Sequence, residues 1–266
     1  MGLCHSRCYP PGLFTRVIVD LTSLQGVATA GSSAFHFSPI EEFQVTKALL
    51  KSSPANRLDA IVGGLIQASH MALEHADMPL SRMPEYFMAV HVAHSIAKAF
   101  TSFGYRLEAS VKQTLSDAGV KKSEIDDLLE NKHLRGNGRF DLVLRTGKKG
   151  MPAHVLEFKR GSRSAHLLKD INRLAYVSRT VNAGGRLETN YLVFTTKKSE
   201  ERLLVMLHVQ EVERRRSNPR ARGHVTFTLK KYQPIPHWAK DDDKRSPLHM
   251  AVAVFEVRRK GRQQRI

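Results

Sequence analysis

The chain has 266 residues, of which 41% are hydrophobic and 25% charged, enough for one well-packed core or two small ones. Its formal net charge of +17 favours a polyanionic partner, nucleic acid before membrane. No apolar run reaches the roughly 18 residues that a membrane-spanning helix needs, because the best candidate, 58–73, contains Asp59 and His70.

The first 80 residues divide into an extension and a helical segment. Residues 1–37 show no sustained periodicity and include the small, polar run GVATAGSSAF, so we expect a loose extension there. The run SPIE then supplies a Ser N-cap, a Pro at the first helical position and a Glu that completes a capping box. Residues 38–80 are therefore predicted to be helical, with helices over 39–51 and 56–75. The pair Gly63-Gly64 either weakens the second helix or lets another helix approach it closely.

Residues 81–200 alternate between helix and strand patterns, as is typical of an α/β core. Within this range, two apolar runs joined by a Gly-rich turn predict a β-hairpin over 138–161. A helical insert, 113–134, precedes this hairpin and contains the capping pattern SEID.

The C-terminal part, 201–266, is a basic extension. Its patterns predict a helix over 199–216 that ends in three Arg residues, followed by strands over 224–232 and 249–257. Residues 197–266 hold 18 basic against 8 acidic residues, so the excess positive charge accumulates where a phosphate-binding surface would need it.

The two strands around the Gly-rich turn, GRFDLVLRTGKKGMPAHVLEFKRG, each carry a carboxylate where a core residue would be expected. If the strands pair symmetrically about Lys149, residues whose numbers sum to 298 face one another, and Asp141 lies opposite Glu157. Like charges in that position repel unless a cation lies between them, and Mg²⁺ prefers such oxygen ligands. Lys159, two residues after Glu157, adds a fixed positive charge on the same face.

Strict alternation assigns the other side chains of this hairpin to two faces. The face expected to lie in the core holds Phe140, Leu142, Leu144, Leu156 and Phe158. The face expected to carry the chemistry holds Asp141, Val143, Val155, Glu157 and Lys159. A surface hairpin with a solvated, charged outer face is the alternative explanation of the same pattern.

An Asp on one strand and Glu-x-Lys on the next, here RFDLVL and LEFKR, resembles the PD-(D/E)XK nuclease superfamily. The order helix, three strands, helix, strand also resembles that family: 84–100 resembles its leading helix, 105–111 its first strand, 167–181 the helix after the Glu-x-Lys strand and 190–196 the following strand. The resemblance implies an α/β fold: a restriction-endonuclease-like core with a central mixed β-sheet flanked by helices, here with added N-terminal helices and a basic C-terminal extension. Three features depart from the pattern: no Pro precedes the Asp, the helical insert interrupts the strands, and Asn172-x-x-x-Tyr176 is at best a variant of the Gln-x-x-x-Tyr of some members.

The resemblance also implies the chemistry of the site. Asp141 and Glu157 would bind Mg²⁺ or Mn²⁺ with help from the Phe158 carbonyl, and Lys159 would orient the attacking water or offset charge on the phosphate. Glu85, early in the leading helix, would complete the metal site, although a Glu in the first turn of a helix is also favoured by the helix dipole alone. The expected product carries a 5′-phosphate.

Further basic and polar residues are candidates for contacts with nucleic acid, although a solvated helix surface explains them nearly as well. They are Lys169, Asn172, Arg173, Tyr176, Arg214 and Arg215.

The sequence therefore predicts a metal-dependent nuclease, most of all a DNA nuclease. A non-catalytic nucleic-acid-binding module that retains the fold is an alternative, against which the presence of all three signature residues speaks. An RNA-directed or toxin-like nuclease also stays open, as do a homodimer and separate partner proteins in a larger system. Because the chain has two cysteines and Asp20 interrupts its first apolar run, we expect no secretory signal and a cytoplasmic location.

Overall fold

The computed structural model describes residues 52–130, 134, 137–147, 149–181, 186–217, 225–235 and 250–260, with the side chains of 209–217 left out. All of them belong to one compact unit, Lys47–Ile266. The extension expected over 1–37 and the helix expected over 39–51 lie outside the described residues.

Six helices and six strands follow one another in the described residues, with a short 3₁₀ turn at Leu80–Arg82. The helices are α1 Pro54–Ala76, α2 Glu85–Ala99, α3 Val111–Asp117, α4 Lys122–Leu129, α5 Ser164–Thr180 and α6 Glu200–Ser217. The strands are β1 Phe103–Ser110, β2 Arg139–Thr146, β3 Pro152–Lys159, β4 Thr189–Thr196, β5 Val225–Ile235 and β6 Met250–Arg259. The predicted order of elements from α2 to β4 is confirmed, and the insert between β1 and β2 is helical as expected.

The strands form one mixed sheet in the order β1-β2-β3-β4-β6-β5. Only the β3–β4 pair is parallel, because α5 provides the crossover between these two strands. The molecule is therefore an α/β protein with an open, six-stranded sheet, as the sequence indicated.

The predicted register of the β2–β3 hairpin is confirmed. Leu142 pairs with Leu156 and Val143 with Val155, so the residue numbers sum to 298. A β-bulge between Leu144 and Arg145 shifts the register only at the turn end of the hairpin.

Helices cover both faces of the sheet. On one face, α1 and α2 pack on apolar side chains that include Leu142, Leu156 and Phe158. On the other face, α3 to α6 pack on a second cluster that contains Val143 and Val155. The expectation of one core face and one open, chemical face was therefore wrong, since Val143 and Val155 are completely buried.

Phe140 was also assigned to the wrong face. It belongs to the cluster with Val143 and α5, and not to the cluster of Leu142 and Leu144. Strict alternation assumes a strand that is paired on both sides, and the β2–β3 pairing ends at Leu142 and Leu156.

A close contact between α1 and α2 fixes the first helical layer. Ser53 caps α1 by accepting a hydrogen bond from the Asn56 backbone N–H at 3.1 Å. A Cβ added at Gly64 would lie 2.8 Å from the Val92 Cα, so this Gly lets the helices approach closely, one of the two roles that the sequence left open. At Gly63 the nearest such atom is 4.0 Å away.

None of the helices in the described part of the chain has the length and apolar character to cross a membrane.

Candidate active site

The candidate site lies where the β2–β3 pairing ends. Beyond the Leu142–Leu156 pair, the Phe158 backbone N–H donates to Asp141 Oδ2 at 2.7 Å, so a side chain supplies the acceptor that a paired strand would have provided. The carboxyl groups of Asp141 and Glu157 lie close enough for each to affect the pKa of the other. The structure thus brings together the two carboxylates that the register placed opposite each other.

Lys159 is held by three oxygen atoms at the same end of β3. Its Nζ lies 2.7 Å from the Phe158 carbonyl oxygen, 3.0 Å from Glu85 Oε2 and 3.3 Å from Asp170 Oδ2. Burial alone would lower the pKa of Lys159, but the charges of Asp170, Glu85 and Asp141 outweigh it and raise the pKa. The ammonium group therefore stays protonated at neutral pH.

Glu85 reaches the site from the first turn of α2. Its Oε2 pairs with Lys159, and its Oε1 accepts from the Arg160 backbone N–H at 3.3 Å. The side chain keeps 33% of its surface exposed, so solvent reaches the cluster from this side. Glu85 and Lys159 are 74 positions apart in the chain, but the structure places them side by side. Helix α2 thus contributes one side chain to the site.

Arg173 has a different position from the one expected. It was a candidate for phosphate contact on an exposed helix face, but it is 3% exposed and its Nη1 donates to Glu157 Oε1 at 2.7 Å. Its Nη2 donates to the Arg139 carbonyl oxygen at 2.9 Å, and its Cζ lies 4.6 Å from the centre of the Phe140 ring. Arg173 is therefore the buried partner of Glu157, because it lies on the side of α5 that packs on the sheet.

Asp170 was missed by sequence reasoning. Its side chain is 5% exposed. Its Oδ2 forms an ion pair with Lys159 but accepts no hydrogen bond. Asp170 and Arg173 are three residues apart and lie among the apolar positions of α5 that include Leu167 and Leu174. Two charged residues within an apolar stripe were the signal for a buried polar cluster.

The cluster has more negative than positive charge. Four carboxylates, Glu85, Asp141, Glu157 and Asp170, surround the two cations Lys159 and Arg173. Burial, and then the charge of Asp141, raise the pKa of Glu157 well above its ordinary value. Burial also raises the pKa of Asp141. These two carboxyl groups therefore hold a proton more readily than ordinary carboxyl groups do.

The donor set fits a hard divalent cation. The carboxylates of the cluster offer oxygen atoms as ligands, and their excess of two negative charges matches the charge of one Mg²⁺. Asp170 Oδ2 is in addition a buried acceptor without a hydrogen bond. Across the described residues, no three or more His, Cys, Asp or Glu side chains already surround one point. Mg²⁺ commonly binds to one or two carboxylates and keeps several waters, so such a cage is not required. The Phe158 carbonyl accepts from Lys159 in this arrangement.

The remaining candidates for nucleic-acid contact lie outside the cluster. Lys169 is exposed on α5, while Asn172 and Tyr176 are half-buried. The Arg179 guanidinium carbon lies 4.9 Å from the centre of the Tyr176 ring. Arg214 and Arg215 are part of α6, but their side chains are outside the described residues.

Glu108 in β1 adds local backbone strain beside the site. Its neighbours pair as Leu107 with Leu142 and Ala109 with Phe140, so Glu108 faces Asp141 in the register. Its φ of 47° lies in the left-handed region, which costs a non-Gly residue about 1–3 kcal/mol. Such strain is common at functional sites, and no sequence pattern revealed it here.

Comparison with protein-family models, with curated proteins and with solved structures yields no match to this chain.

Proposed function

We propose that the chain is a metal-dependent nuclease with a restriction-endonuclease-like fold, which hydrolyses phosphodiester bonds of nucleic acid, most of all DNA. The observation that supports this proposal is the convergence of Asp141, Glu157, Lys159 and Glu85 at one end of the β2–β3 hairpin, with an excess of negative charge. The alternative, a charged hairpin on the protein surface, does not explain why Glu157 is only 1% exposed.

Asp141 and Glu157 are the residues that would hold Mg²⁺ or Mn²⁺, and the Phe158 carbonyl would join them once Lys159 releases it. A bound divalent ion would supply a water of lowered pKa and a positive charge for the phosphate. Arg173 would keep Glu157 oriented through its hydrogen bond of 2.7 Å. Because Arg173 neutralises the charge of Glu157, it would also limit how tightly the site binds a metal ion.

Lys159 would offset the negative charge that develops on the phosphate oxygens. Asp170 and Glu85 hold its ammonium group from two sides, so its position is fixed before substrate arrives. Glu85 is the more exposed of the two partners, and it would be the first to exchange Lys159 for another cation or a water.

Nucleic acid is the proposed partner because the chain carries a formal charge of +17. DNA is the proposed substrate, and RNA is the second candidate that the substrate comparison below distinguishes. The proposal includes a cytoplasmic location and no membrane partner. A non-catalytic binding module is less well supported, because it would have no use for a buried carboxylate pair with raised pKa values.

The test is a cleavage assay with purified full-length protein on supercoiled plasmid, single-stranded DNA and RNA, in Mg²⁺, Mn²⁺ or EDTA. Cleavage that needs a divalent ion is the expected result, with DNA cut faster than RNA. Faster cleavage of RNA would reassign the substrate. Binding without cleavage under every condition would favour the non-catalytic module.

A further inference from the structure

A cavity of about 610 Å³ opens next to the candidate site, at the carboxyl ends of the parallel strands β3 and β4. Four basic residues line it: Arg160, Lys197, Lys198 and Arg202. Among the lining residues that the structure describes, none is acidic, and Met206 and Met250 form the apolar part.

Within the described part of the chain, no acidic side chain balances the positive charge of this cavity. Among the residues that the structure describes, no carboxylate forms an ion pair with any of the four basic side chains. Glu200 and Glu201 begin α6 nearby, but they do not line the cavity. Unpaired cations of one sign in a concave surface raise the local concentration of anions.

The two loops that form the cavity are joined by side-chain hydrogen bonds. Thr195 Oγ1 donates to the Arg160 carbonyl oxygen at 2.8 Å, and Thr196 Oγ1 lies 3.2 Å from Ser162 Oγ. The Lys198 backbone N–H donates to Thr196 Oγ1 at 3.0 Å. The loop after β3 and the loop after β4 are thus held together before any ligand binds, which reduces the entropy cost of binding.

The cavity and the carboxylate cluster share one wall. Arg160 follows Lys159 directly, and its backbone N–H donates to Glu85 Oε1, whereas its carbonyl oxygen accepts from Thr195. Lys159 is the last residue of β3 and contacts the cluster, whereas Arg160, the first residue after the strand, lines the cavity. An anion in the cavity would therefore lie beside the groups proposed to cut a phosphodiester.

We infer that this cavity binds the terminal phosphate monoester of a nucleic-acid strand, and so positions that strand for cutting near its end. The inference rests on the proposed nuclease function for the chemistry but not for the binding. A monoester carries about −1.5 to −2 charge at pH 7, compared with −1 for an internal diester, so four unpaired cations favour the strand end.

The test compares one short single-stranded oligonucleotide in three forms: with a 5′-phosphate, with a 3′-phosphate, and without a terminal phosphate. Binding is measured by fluorescence anisotropy in EDTA, so that no cleavage occurs. One phosphorylated form should bind about tenfold more tightly than the unphosphorylated form, because charge-assisted hydrogen bonds are the strong ones.

The double variant Lys197→Gln/Arg202→Gln should lose this preference, because both side chains line the cavity. Both are exposed, so the variant should fold. The matched control, Lys98→Gln/Lys149→Gln, removes the same charge at exposed positions away from the cavity. Lys98 lies in the last turn of α2, and Lys149 lies in the turn before β3. The control should bind all three forms more weakly and keep the ratio between them.

Equal affinity for the three forms, no binding of any form, or an unchanged preference in the cavity variant would overturn the inference. Cleavage of the same three oligonucleotides is measured separately with Mg²⁺. A protein that cuts but shows no preference for a terminal phosphate would contradict the cavity assignment alone. A protein that shows the preference but never cuts would contradict the proposed function alone.

Discussion

Arg173→Met should destabilise the protein without metal more than any other change in the candidate site. The substitution removes two hydrogen bonds, of 2.7 Å to Glu157 and 2.9 Å to the Arg139 carbonyl, together with the contact to the Phe140 ring. It leaves Glu157, which is 1% exposed, without its cation. Breaking a buried ion pair by removing one partner costs about 3–5 kcal/mol, so the free energy of unfolding should fall by that amount.

The measurement is urea denaturation in EDTA at neutral pH, followed by circular dichroism. Lys169→Met is the control, because Lys169 is an exposed cation on the same helix and its loss should change the stability by less than about 0.5 kcal/mol. An equal effect of the two substitutions would refute the buried pair.

A double variant separates the ion pair from simple packing. Arg173→Met/Glu157→Gln removes both charges, and replacing a buried pair by neutral groups is often close to neutral in stability. The double variant should therefore be more stable than the sum of the two single effects predicts, by about 2 kcal/mol. Strict additivity would mean that Arg173 and Glu157 do not stabilise each other.

Three further predictions concern the helical layer, the insert and the metal site. Gly64→Ala should cost about 1–3 kcal/mol in urea denaturation because its Cβ meets the α2 backbone, whereas Gly63→Ala should not destabilise. Asp117→Asn should cost about 2 kcal/mol at pH 7, because it unpairs Arg145, which is 9% exposed. Burial would raise the pKa of Asp117, but hydrogen bonds from Gln113 and Arg145 lower it below 3.8. The variant should therefore be less stable than wild type by the full amount above pH 3.8, and this loss of stability should shrink as the pH falls further. Asp141→Asn should raise the Tm in EDTA slightly and reduce the increase in Tm on adding Mn²⁺; equal increases would show that Asp141 binds no metal.

Local patterns predicted the order of the elements and the register of the hairpin. Strand character depends on neighbouring residues, so the β6 signal was visible without any knowledge of packing, whereas α5 and β4 were expected from the family resemblance. The pairs Leu142–Leu156 and Val143–Val155 followed from the centre of the turn, whereas the ladder ends before Asp141 and Glu157, which are close but not a backbone pair.

The partners of the carboxylates could not be predicted in the same way. Which side of α5 meets the sheet depends on the parallel crossover, so Arg173 was assigned to solvent when it is buried on Glu157. Phe140 was assigned to the wrong face because alternation was applied beyond the end of the pairing. The cations Arg160 and Arg202 meet at one cavity only because β3 and β4 are adjacent and parallel.

Cleavage of DNA by the Glu157→Gln variant tests the proposed nuclease most directly. This change keeps the volume of the side chain and removes the buried charge that would hold the metal. Glu74→Gln, an exposed position on α1, is the isosteric control. Wild type and control should cut DNA in Mg²⁺ but not in EDTA, while Glu157→Gln should lose at least about a hundredfold in rate and still bind DNA. Cleavage by Glu157→Gln at the wild-type rate would contradict the metal-dependent site.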